Sequence, residues 1–250
     1  MTDRTIETSP KFYARIGGFL YLIVIVLGIF AEVFVRGQLV VYRDPATTAS
    51  NILAHEMLYR MGFAAGVTYL LCNIPLTLIL YRLFKPVNRD LSLLFGIFVL
   101  VATAIEGASL LGHFASLVIL KSGHFLNAFS PDQLQALAYI PLRLQSVGFD
   151  ISLAFCAFYC LSIGILIIRS TFFPRILGVF YAIAGLCYLT NSFTNFLAPQ
   201  YSLFPFILMP CLLAELSFCL WLIVKGVNVP KWEKQASKRP VVPVVSSVER

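Results

Sequence analysis

The sequence predicts an all-α integral membrane protein: a six-transmembrane-helix bundle, N-in/C-in, with short helices lying in the outer interface. Three observations carry that expectation. The 250 residues are 59% hydrophobic and 12% charged, against roughly 45–50% and about 25% in soluble domains, and the mean hydropathy is +0.84. Six runs are long and continuously apolar, as a crossing of the roughly 30 Å hydrocarbon core by about 20 residues requires. Lys and Arg crowd one side of the loops that those runs define. This composition excludes a cytosolic globular protein, a disordered chain, and a nucleic-acid-binding reading of the net charge of +7.

The first span runs from about Ile16 to Val35 and is interrupted only by Glu32. It is too long for a signal-peptide core and no small-residue cleavage site follows, so a retained helix is expected. The second covers about Met57 to Tyr81, the third Leu91 to Leu120 and the fourth Leu144 to Ile168. The fifth covers Ile176 to Ala198 and the sixth Leu203 to Val224. Helices are expected because the runs are apolar throughout and do not alternate as barrel strands do.

With six spans, the N-terminal segment, the second and fourth loops and the C-terminal segment share a side. That side holds fourteen of the 19 Lys and Arg residues. The opposite loops hold three (Arg36, Arg43 and Lys121), and Arg60 and Arg143 sit within or at the edge of spans. The positive-inside rule then places both termini in the cytoplasm. Residues 1–15 read as a cytoplasmic N-terminal segment, 16–228 as the membrane domain and 229–250 as a basic, disordered cytoplasmic tail whose lysines complement anionic lipid.

Each long outer loop carries a capping residue followed by proline, Asp44-Pro45 and Ser130-Pro131, which signals a helix start. In the second loop Leu134, Leu137 and Ala138 recur at helical spacing before Pro141. They form either a short interfacial helix or a helical lead-in to the fourth span. A faint repeat is also visible. Arg15, Ile16, Gly18, Tyr21 and Ile23 match Arg175, Ile176, Gly178, Tyr181 and Ile183 at constant offset. Two related hairpins would produce this, and so would chance similarity among apolar helices. Gly62 and Gly66, with Ala65 beside them, form a small-residue face suited to close helix packing. The six cysteines lie within spans and behave as small hydrophobes, with no disulfide framework.

Ionisable groups inside a membrane cost roughly 2.5–3.5 kcal/mol each on insertion scales and mark function. Here they are Glu32, Glu56, Glu106, Asp150 and Glu215, with His55, His113, Arg60 and Arg143 near them and Asn191 and Asn195 in the fifth span. Counting about 1.5 Å of rise per residue places this set in the outer half of the bundle. Glu56 and Arg60 are i, i+4, as are Asn191 and Asn195; Glu106 and His113 are i, i+7, as are Arg143 and Asp150. One reading is assembly: Arg60 neutralises Glu56, Arg143 neutralises Asp150, and polar contacts hold the helices together. Five acids against two arginines leave three carboxyl groups over, and that surplus favours a site.

Three functions fit such a site. The first is an outward-facing pocket for a small polar or amphiphilic ligand, built from Glu32, Glu56, Arg60, Glu106, His113, Arg143, Asp150, Asn191, Asn195 and Glu215. The second is a transporter in which a buried carboxylate carries the coupling proton and Pro75, Pro205 and Pro210 break or kink helices. The third is a metal-dependent membrane enzyme with His55, His113 and carboxylates around zinc. It lacks a compact motif such as His-Glu-x-x-His, and His124 falls in an outer loop. No phosphate-binding loop, nucleophile elbow or dinucleotide-binding pattern is present, which excludes a nucleotide-driven pump in a single chain. The expected partners are the bilayer and a small-molecule or lipid ligand, with no intrinsic cofactor and no nucleic acid.

Several segments carry a family resemblance: Arg15-Ile16-Gly17-Gly18, Gly28-Ile29-Phe30-Ala31-Glu32, Tyr81-Arg82-Leu83-Phe84-Lys85-Pro86-Val87-Asn88, Gln133-Leu134-Gln135-Ala136-Leu137, Gly148-Phe149-Asp150, Pro174-Arg175-Ile176-Leu177-Gly178 and Lys225-Gly226-Val227-Asn228-Val229-Pro230-Lys231-Trp232. Together they resemble the bacterial family known as domain of unknown function 4386, from about Lys11 to Glu233. The resemblance implies a multi-pass protein of the bacterial inner membrane and implies no activity. Family members often carry a His shortly before Gly-Phe-Asp. Here that stretch reads Arg143-Leu144-Gln145-Ser146-Val147, which argues against a shared histidine–metal site.

Overall fold

Over the described residues each apolar run forms a helix, as it must where lipid offers backbone N–H and C=O groups no partner. The computed structural model describes residues 9–121, 129–201 and 206–238. Helix α1 starts at Pro10, runs to Ile29, and continues through a π-helical stretch Phe30–Arg36 into Gly37–Leu39. A short α2 (Pro45–Ala54) precedes α3 (Glu56–Phe84), α4 (Arg89–Lys121), α5 (Pro131–Arg169) and α6 (Arg175–Leu197). A 3-10 turn at Phe206–Leu208 leads into α7 (Met209–Val224), and α8 (Val229–Ser237) follows. Six of these, counting Pro10–Leu39 and Phe206–Val224 as single spans, are long and apolar enough to cross a membrane.

The spans pack in chain order: α1 on α3, α3 on α4, α4 on α5, α5 on α6, α6 on α7, and α7 back on α1. The result is a closed ring. Its outer faces carry Phe19, Leu71, Leu111, Leu213 and many other large apolar side chains, all exposed. Water would not tolerate so continuous an apolar surface; a bilayer is its solvent. One end of the ring carries Lys11, Arg15, Arg82, Lys85, Arg89, Arg169, Arg175 and Lys225 and is called the basic end here.

That end is filled. Phe84, Phe172, Phe173, Phe218 and Tyr181 pack ring on ring at centroid distances of 5.0–6.3 Å, and Tyr21 Oη meets Tyr181 Oη at 2.7 Å. The chain then leaves α7 through Gly226, whose φ of +64° only glycine adopts freely, and α8 docks across the filled end. Asn228 caps α8 by accepting from Lys231 N at 3.2 Å, Trp232 Nε1 donates to Leu83 O at 2.9 Å, and Gln235 Nε2 donates to Arg169 O at 3.3 Å. The expected disorder from residue 229 is therefore corrected for Val229–Ser237. An Asn cap with proline behind it starts a helix, and Trp232 fixes it to the bundle.

At the other end, α2 is the short helix expected after Asp44. Asp44 Oδ2 accepts from Thr47 Oγ1 at 2.7 Å, and its Oδ1 from Thr47 N at 2.9 Å. These two bonds, the hydroxyl first, hold the Asp44 carboxyl below the usual carboxylate range. Its folded value being depressed, the capping contribution is full above about pH 4 and fades as the pH falls through that lower value. Asp44→Ala should speed amide exchange across Pro45–Ala54 at neutral pH, with wild type and variant converging as the pH falls below that lowered value, once rates are corrected for intrinsic exchange. Equal protection at neutral pH would show the cap to be idle.

The second loop differs from one of its two expectations. Ser130 and Gln133 form a capping box, but no separate helix follows: α5 runs unbroken for 39 residues through Pro141. Proline removes one backbone bond, and α4 packs closely beside this point, where a Cβ on Gly112 would run into Pro141 O. Pro75 likewise lies inside a continuous α3, so it does not break that helix. Pro210 sits in the first turn of α7, where proline is tolerated. His124 and Pro205 lie outside the described residues.

Candidate functional site

The ten residues expected to share a pocket separate into distinct groups. Glu56 lies at the non-basic end of α3, where Arg60 Nε (2.8 Å) and Lys121 Nζ (2.7 Å) both donate to it; all three are surface side chains. This is the neutralising pair the i, i+4 spacing suggested, with a lysine added from α4. His113 is buried between helices: its Nε2 lies 3.0 Å from Tyr59 O, Tyr59 Oη donates to His113 O at 2.7 Å, and the two rings stack at 3.9 Å. That reciprocal brace uses the imidazole to join α3 to α4. His55 is exposed, its Nδ1 3.2 Å from Asn51 O. Among the described residues no three His, Cys, Asp or Glu side chains stand close enough to hold a metal ion.

Arg143 does not pair with Asp150. Its guanidinium lies over the Tyr42 ring at 5.1 Å, while Asp150 accepts from Asn195 Nδ2 at 2.9 Å, tying α5 to α6. Seven residues separate Arg143 from Asp150, and the long arginine side chain reaches the aromatic ring of the adjacent loop instead. Asn191 is buried, its Oδ1 unpaired among the described residues.

Three of the ten, Glu32, Glu106 and Glu215, line one cavity. It occupies the centre of the ring, has a volume of about 340 Å³ and draws wall residues from all six spans. Toward the basic end it stops at the Tyr21–Tyr181 pair and the phenylalanines behind it. Glu215 Oε1 accepts from Tyr188 Oη at 2.9 Å and from Tyr159 Oη at 3.5 Å. Tyr69 Oη donates to Glu106 Oε1, and beside that pair Asn73 Nδ2 donates to Thr103 Oγ1 at 3.0 Å. Glu32 stands on the π-helical stretch, where Arg36 Nη1 donates to it at 3.2 Å and Arg36 Nη2 donates to Ser146 Oγ on α5. Between these polar groups the walls are apolar.

The ring is tight at one end and looser at the other. At Gly18, α1 touches α7 closely: an added Cβ would lie 2.9 Å from Ile223 N, and Cys219 Sγ donates to Gly18 O at 3.3 Å. Ten residues further along α1, a Cβ on Gly28 would meet nothing within 4 Å. Gly28, Val33 and Met209 all line the cavity, and Val33 and Met209 are also exposed on the outside of the ring. The cavity's rim between α1 and α7 is thus apolar.

Residues 16–226, which include every residue of this cavity, match the family described as Domain of unknown function (DUF4386). The chain belongs to that family. It is a multi-pass membrane protein, and the resemblance drawn from its motifs is correct. No curated protein and no solved structure matches the chain.

What makes the cavity of this DUF4386 member distinctive is mostly what sequence reasoning missed. Arg36 counted as a loop residue, yet the π-helical stretch carries α1 on to Leu39 and brings it onto Glu32; the i, i+4 spacing of the two was the available signal. Tyr21, Tyr69, Tyr159, Tyr181 and Tyr188 also line the cavity. A tyrosine inside an apolar run reads as hydrophobic bulk, although its hydroxyl needs a partner once buried. A tyrosine can be matched to a carboxyl group only after the fold is known.

Proposed function

We propose that this protein binds a small amphiphilic molecule in the central cavity, within the bacterial inner membrane and with both termini in the cytoplasm. The observation that carries the reading is the cavity itself: about 340 Å³ of space at the ring's axis, with apolar walls and three carboxyl groups on them. Small-molecule sites have this character, concave and mainly apolar with a few placed polar groups, at volumes from roughly 300 Å³ upward. The basic end lies against the cytoplasm by the positive-inside rule, so the filled floor faces inward and the cavity belongs to the outer part of the membrane. The apolar rim between α1 and α7 suits a ligand that partitions into lipid first. Binding is one half of a transport cycle, and the same site serves either role.

Filling the cavity tests the reading. Gly28→Trp puts an indole into open space without touching the α1–α7 crossing. Native mass spectrometry of protein released from its own membranes should show a bound small amphiphile on the wild type and none on Gly28→Trp, both eluting as folded species. An adduct retained at equal occupancy by Gly28→Trp, or absent from the wild type, would sink the proposal.

A further inference from the structure

We infer that the cavity's ligand is an amphiphilic organic cation, its ammonium group held by Glu106, Glu215 and the surrounding tyrosine rings. The inference rests on the reading of the cavity as a ligand site and names the class of ligand. Its first support is charge. The lining carries three carboxyl groups and, among the described residues, no Lys, Arg or His. Glu32 is answered by Arg36, which stands off the lining. Glu106 and Glu215 form no ion pair with any described residue; their partners are tyrosine hydroxyls.

The second support is hydrogen-bond capacity. An ionised carboxyl group has about four acceptor sites, and here the tyrosines use only one oxygen of each: Tyr159 and Tyr188 both donate to Oε1 of Glu215, and Tyr69 donates to Oε1 of Glu106. Oε2 of each residue has no donor among the described residues. A cation arriving in the cavity supplies the opposite charge that the wall lacks beside these oxygens, and a charge–charge contact in a low-dielectric site is far stronger there than in water.

The third support is the aromatic lining. Tyr21, Tyr69, Tyr159, Tyr181 and Tyr188, with Phe95 and Phe149, belong to the same wall. Aromatic faces attract ammonium groups through the ring quadrupole, and cages of this composition recognise quaternary ammonium. They repel an anion for the same reason. The apolar walls and the volume call for an organic body behind the charge; a bare metal ion would leave most of the cavity unfilled.

A matched pair of probes tests this on the full chain in lipid nanodiscs. Benzyltrimethylammonium and neopentylbenzene share one skeleton, with carbon replacing the charged nitrogen in the second; benzylsulfonate carries the opposite charge. Equilibrium dialysis read by mass spectrometry should show saturable binding of the cation, about tenfold or more weaker binding of the neutral probe, and none of the anion. Glu215→Gln and Glu106→Gln should each weaken the cation about tenfold and leave the neutral probe unchanged. If cation and neutral probe bind alike and Gly28→Trp abolishes both, the cation inference fails while the ligand-site reading survives. A preference for benzylsulfonate also overturns the inference. If no probe saturates, or Gly28→Trp changes nothing, both fall. Should either Gln variant not fold, the wild-type comparison of the two isosteres decides alone.

Discussion

Gly178→Val should leave little folded protein to purify. Helices α5 and α6 meet backbone to backbone: a Cβ added at Gly178 would lie 2.6 Å from Gly164 O and 3.0 Å from Ile168 N, and one at Gly164 would lie 2.9 Å from Gly178 O. Further along the same crossing, a Cβ at Gly185 would lie 2.8 Å from Ala157 O. Lipid tails are as apolar as leucine, so helices in a bilayer associate through close packing and not through the hydrophobic effect. A backbone carbonyl cannot move aside as a flexible side chain can, and the two helices must separate. Overpacking usually costs about 1–3 kcal/mol, and displacing a whole crossing puts Gly178→Val at or above the top of that range. The measurement is the monodisperse yield and the thermal midpoint in one detergent. Gly28→Ala is the matched control. Its new Cβ meets nothing, so it should gain up to about 1 kcal/mol from helix propensity. A midpoint for Gly178→Val as high as that of Gly28→Ala would show that propensity, and not the crossing, decides.

The contrast shows how far the sequence could be read. Gly62 and Gly66 stood out because i, i+4 spacing advertises a small-residue face on one helix, and they do sit under Val35 and Leu110 side chains. Gly164 and Gly178 form a closer contact, but they lie on different helices and share no local spacing. The same limit governs the site. The spans were legible because about 20 apolar residues have few other uses, and the carboxyl groups within them because lipid makes each one costly. Their partners were legible only where the chain is its own ruler: Arg60 for Glu56, four residues away. Glu106 finds Tyr69 37 residues away, and Asp150 finds Asn195 at 45. Tyr21 and Tyr181 are the instructive exception. Their constant-offset match marked them as equivalent positions, and they hydrogen-bond to each other at the cavity floor.

Arg36→Met should destabilise the protein and tighten cation binding at once. Arg36 joins Glu32 at 3.2 Å, with side-chain exposures of 13% and 25%, and reaches Ser146 on α5. Removing one member of a buried pair leaves an uncompensated charge and costs roughly 3–5 kcal/mol; the partial exposure of Glu32 brings the expectation down to about 2–3 kcal/mol. Most of this is the cost of the stranded carboxylate and not the worth of the bond. Glu32→Gln/Arg36→Met should therefore recover most of the loss, as a double-mutant cycle of thermal midpoints in nanodiscs would show. Equal losses in the single and double variants would mean that Arg36 acts through Ser146 or through packing. Binding should move the other way. Glu32 lines the cavity, and without Arg36 its charge faces the ligand unanswered, so benzyltrimethylammonium should bind several-fold more tightly to Arg36→Met than to the wild type. A merely damaged cavity would bind it less tightly, so the sign of that change separates loss of structure from gain of negative field.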